Sequence, residues 1–80
     1  MTKFIQLVPF KYGEVKNPIM VNVSYITTVL KDDDYFSKVF VSDENKANFK
    51  EQLTADDFLY VIEPMYENIV AILTQEEEKQ

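Results

Sequence analysis

Apolar and polar positions alternate in short runs along most of this chain, and only the last quarter carries helical spacing. The run "KFIQLVPF", Lys3 to Phe10, is rich in Phe, Ile, Leu and Val and predicts a first strand. Ile5 and Leu7 share one of its faces, and Phe4, Val8 and Phe10 share the other with Gln6, so both faces are expected to be covered in part. The turn-prone "KYGEVKNP" follows, with Gly13, the single glycine, where a hairpin needs a residue tolerant of positive φ. From Pro18 the alternation sharpens, Ile19, Val21 and Val23 against Met20 and Asn22. Asn22 and Ser24 then interrupt it with short side chains that bond their own backbone, and Tyr25, Ile26, Val29 and Leu30 resume an extended pattern around Thr27 and Thr28. The interruption reads as a corner, at which one strand leaves its first neighbour and pairs with another.

"KDDDYF", residues 31–36, is polar at its centre and joins this strand to "SKVFVS", which predicts a hairpin. Residues 43–57 are polar and poor in β-formers. They suit either a short helix capped by Asp43, with Ala47, Phe49 and Leu53 as anchors, or a long loop. "FLYVIE", Phe58 to Glu63, has strand length. Pro64 stands at a favoured first helical position, and Met65, Ile69, Ile72 and Leu73 recur at helical spacing. The expected architecture is α+β: a strongly bent antiparallel sheet, a half-barrel of about five strands, with one C-terminal helix. One domain spans 1–75, and residues 76–80 form a charged tail.

Length changes the picture first. A domain of 80 residues buries only about 60% of the surface its unfolded chain exposes. The absence of Cys and His removes disulfides and an imidazole or thiolate zinc set, so self-association, most simply a dimer, is the expected support. No apolar run approaches a membrane span, and no signal-like segment follows "MTKFIQLVPF", so the expected location is cytoplasmic. Fourteen acids against eight bases, all Lys, give a net charge of −6. With no Arg and an acidic excess, neither nucleic acid nor an anionic membrane is an expected partner.

Catalytic chemistry has little to work with. His and Cys are missing as base and nucleophile, one glycine excludes glycine-rich phosphate loops, and no catalytic residue, metal or cofactor is expected. Asp32-Asp33-Asp34 invites a calcium reading, but no glycine follows and Tyr35 and Phe36 stand where further ligands would be needed, so a solvated hairpin tip is expected instead. Tyr25, Tyr35, Phe36 and Phe40 crowd around the central hairpin. Four such rings exceed what a core this small can hold, so some are either scattered amphipathic surface residues or the candidate interaction residues, at a homo-oligomer contact or against a protein partner.

The order "KFIQL … VNVSYITTV … SKVFV … FLYVIEPMYENIVAIL" resembles the small swarming-motility, FlbD-like family of bacterial flagellar proteins. Val21, Asn22, Ile26 and Val29 match its corner, and Val61, Glu63, Glu67 and Ile69 match its passage from strand to helix. Residues 43–57 and the loop around Gly13 are longer than the family pattern. A similar corner occurs in LytTR-type DNA-binding domains, whose basic loops this chain lacks. The resemblance implies no catalytic residues. The expected function is a non-enzymatic protein-binding or regulatory module. The alternative is a small acidic inhibitor, phage- or mobile-element-borne, whose carboxylates imitate nucleic-acid phosphates.

Overall fold

A computed structural model describes residues 3–74; the charged tail, 76–80, lies outside the described residues. Six strands and one helix follow one another as β1 (Phe4–Lys11), β2 (Glu14–Val15), β3 (Ile19–Asn22), β4 (Ile26–Lys31), β5 (Ser37–Val41), β6 (Leu59–Glu63) and α1 (Tyr66–Thr74). The sheet is antiparallel in the order β2-β1-β6-β5-β4, with β3 also on β1. The count exceeds the expected five because β2 and β3 are two pieces of one hairpin arm, broken at residues 16–18. Tyr12 and Gly13 link the arms with φ of 56° and 76°. Two successive positive values define the turn whose twist matches a hairpin, and Gly13 supplies one of them at no steric cost.

The corner lies where the sequence predicts it. Val23–Tyr25 form one 3₁₀ turn, and Asn22 Oδ1 accepts from Ser24 N–H at 2.9 Å. Each side of the turn is tied to a different neighbour: Val23 N–H donates to Lys3 O at 2.9 Å, and Ser42 N–H donates to Tyr25 O at 2.8 Å. The chain thus leaves β1 as β3 and reaches β5 as β4, and this bend gives the sheet its half-barrel shape. No ladder joins β3 to β4, so the sheet stays open. A bulge between Ile26 and Thr28 shifts the register of β4, which lets Ile26 and Val29, three apart, both pack against the core.

Alternation sorts the faces. Ile5 and Leu7 of β1, Val21 of β3, Val39 and Val41 of β5, Leu59 and Val61 of β6 and Ile69 of α1 form the dry interior. Residues 43–57 are neither a regular helix nor a bare loop. Asp43–Phe49 wind as 3₁₀ and turns follow, with Phe49 and Leu53 buried as anchors and Ala47 exposed. Ser42 takes the capping position in place of Asp43, and its hydroxyl accepts from Asn45 Nδ2 at 2.7 Å.

The start of α1 also departs from expectation. The Glu63–Pro64 peptide is cis and the helix begins at Tyr66, so Pro64 is not its first residue and Met65 stays exposed. Met65 O still accepts from Ile69 N–H at 3.0 Å, but its side chain precedes the helical turn that aims Ile69, Ile72 and Leu73 inward. The helix spans the gap between the N-terminal end of β1 and the edge strand β4. Lys3 Nζ donates to Ile72 O at 2.9 Å, and Lys31 pairs with Glu67 at 3.3 Å. No helix among the described residues is long and apolar enough to cross a membrane.

Candidate functional site

The side chains left on the outer face of β1, β6 and β5 are mostly aromatic. Register places Lys38 opposite Tyr60, and the next outward positions are Phe40 on β5 and Phe58 just before β6. Phe10 arrives from β1 and Phe36 from the hairpin leading into β5. The rings form a continuous row. Phe10 lies 5.1 Å from Phe36, Phe36 stacks on Tyr60 at 4.6 Å with planes 6° apart, Tyr60 meets the edge of Phe58 at 6.2 Å, and Phe58 meets Phe40 at 5.4 Å. Each such pair contributes about 0.5–1.5 kcal/mol beyond its buried area. All five rings remain partly open to solvent.

Groups of both charges touch the row. At its centre the Tyr60 hydroxyl donates to Asp32 Oδ2. This bond to a carboxylate, helped by burial and by the charges of Asp32 and Asp33, pushes the Tyr60 phenol up to about 12. On the neighbouring ring the Lys38 ammonium stands 5.2 Å from the centre of Phe58. Beside Phe10 and Tyr60 opens a cleft of about 420 Å³, walled also by Tyr12, Leu53 and Ala55.

Asp33 shapes the hairpin tip by accepting from the backbone N–H groups of Tyr35 at 2.8 Å and Phe36 at 3.0 Å. Two of the three acids in the run therefore have partners within the chain. Among the described residues no group of three or more carboxylates converges to hold a metal ion. Elsewhere, a backbone hydrogen bond and then Lys31 hold the Glu67 carboxyl below its ordinary value.

The four rings singled out from the sequence do not stay together. Phe36 and Phe40 join the row toward its two ends. Tyr35 is 71% exposed at the hairpin tip and has no ring partner among the described residues. Tyr25 belongs to the opposite side, half-buried against the core at the corner, because the 3₁₀ turn rotates it inward. Phe10, Phe58 and Tyr60 complete the row and come from strands remote in sequence. The spacing Phe58-x-Tyr60 in an otherwise aliphatic strand is the signal that could have marked them.

The residues behind the family resemblance occupy structural positions: Val21, Val61 and Ile69 in the core, Asn22 at the corner, Glu63 at the end of β6, Glu67 against Lys31. Compared with known proteins, the chain matches no family model, no curated protein and no solved structure.

Proposed function

We propose that this protein is a non-enzymatic protein-binding module that works as a homodimer joined through the aromatic face of β1, β6 and β5. The single observation that carries the reading is the ring row itself, five side chains long and partly exposed along its whole length. A twofold contact presents the same patch on both chains, so a single row of rings can pack against its own copy. Tyr and Phe are favoured at contacts of this kind because they bury much area while losing little side-chain freedom. The lack of His and Cys and the small size of the domain point the same way, toward contact rather than turnover.

Light scattering over a dilution series tests the proposal. A dimer mass at tens of micromolar is expected, and Phe58→Asp should give a monomer with an unchanged circular dichroism spectrum. A monomer mass for the unaltered chain at every concentration refutes the dimer, and turnover of any member of a substrate panel refutes the non-enzymatic reading. The flagellar resemblance makes motility components the first candidates in a pull-down with the dimeric protein.

A further inference from the structure

The second surface lies at the other end of β1. Val23 N–H donates to Lys3 O and Lys16 N–H to Pro9 O, so the odd-numbered residues of β1 turn their backbone groups toward β2 and β3. The backbone N–H and C=O groups of Phe4 and Gln6 therefore point to the opposite edge. There β6 meets β1 only at Val8 and Pro9, because the chain turns off at Pro64 into α1. Among the described residues no strand takes up the lane beside Phe4 and Gln6. The lane is an open groove of about 540 Å³ between β1 and α1, with Phe4 and Val8 on the strand side and Met65, Asn68 and Ile72 on the helix side. Phe4 and Met65 are each more than half exposed there, at 53% and 52%.

The geometry points to capture of an extended peptide from a partner protein, added as a strand to the edge of β1, antiparallel to it and in line with β6. Two donors and two acceptors stand ready for its main chain, and the apolar walls accept alternate side chains. A strand edge beside a helix is held open for a single chain. A second copy of β1 would bring its own β3 about 4.8 Å behind it, into the space where α1 stands, so the occupant is a lone strand rather than another copy of this protein. Charge sets its chemistry. Among the described residues Glu63 is the one ionisable side chain lining the groove, and the whole chain is acidic, so the peptide carries a basic residue at the end nearest Glu63. In the antiparallel direction that is its N-terminal end, followed by alternating β-branched apolar residues.

The probe is the hexapeptide acetyl-Lys-Val-Thr-Val-Thr-Val-amide, titrated into the full chain and followed by amide chemical shifts and hydrogen exchange. Saturable binding is expected, with exchange at the Phe4 and Gln6 amides slowed by about tenfold or more. Backbone N-methylation of the peptide's valines should remove binding, and replacing its Lys by Glu should weaken it by about fivefold or more. Gln6→Pro deletes a donor that faces the groove and not the β3 ladder, and Met65→Lys puts a cation on an exposed wall. Each should abolish binding while leaving the circular dichroism spectrum unchanged, and Phe58→Asp, on the aromatic face, should leave binding intact. Should Gln6→Pro fail to fold, Met65→Lys decides alone. Absence of binding up to about 1 mM overturns the inference. So does binding without protection of the two amides, or their protection in the dimer before any peptide is added.

Discussion

The two faces of β5 and β6 are built from alternating residues of the same strands and do opposite things. Inward stand Val39, Leu59 and Val61, none with measurable exposure, and outward stand Phe40, Phe58 and Tyr60, all partly wet. The interior beneath β5 and β6 is filled by small branched side chains with the Phe49 ring buried among them, and further rings would overpack it. The same rings outside reach one another across strands, since neighbouring outward positions on a pleated sheet stand within contact distance. One face therefore holds the fold together, and the other leaves ring area open to solvent.

The largest expected separation comes from truncating each face in turn. Leu59→Ala removes a fully buried side chain and should cost about 2–5 kcal/mol in urea denaturation, comparable with the whole stability of a domain that has about 0.05–0.15 kcal/mol per residue. Phe58→Ala, on the outer face of the same region, should cost about 1–2 kcal/mol and be felt chiefly as lost self-association in light scattering. Equal stability losses at both positions would erase the distinction between the faces.

Next in size is the corner that lets the sheet have an inside. Asn22→Ala should cost about 1 kcal/mol by thermal melting, because the Ser24 N–H loses its acceptor. Asn17→Ala, at an exposed site with no side-chain hydrogen bond among the described residues, should stay within about 0.5 kcal/mol. Asn45 looks equally inert from its polar surroundings, yet its amide donates to Ser42 and its carbonyl oxygen accepts from Asn48, so it is not a neutral control.

The smallest effect belongs to the hydrogen bond from Tyr60 to Asp32 in the ring row. Since the bond to Asp32 favours the protonated phenol of Tyr60, its contribution to stability is intact below about pH 10, the ordinary tyrosine value, and fades as pH rises toward 12. Asp32→Asn should bring the Tyr60 titration, read by ultraviolet difference absorbance, back toward the ordinary value. An unchanged Tyr60 titration in that variant would remove Asp32 as the partner of Tyr60.

Local chemistry and period determined much of this protein by themselves. Runs of β-formers marked β1 and β6, alternation marked β3 and β5, Asn22 and Ser24 marked the corner, Gly13 marked the hairpin, and Ile69, Ile72 and Leu73 marked the packed side of α1, because each signal is contained within a few consecutive residues. Tertiary structure alone decided what depends on residues far apart in the chain. Phe10, Phe36 and Tyr60 come together only once β6 has docked between β1 and β5, and Tyr25 turns away from them only because the corner is tied to Lys3 on one side and Ser42 on the other. The open lane beside Phe4 and Gln6 has the same origin. It exists because β6 stops at Glu63, and a strand's free edge is a property of the neighbour it lacks, which no run of its own residues encodes.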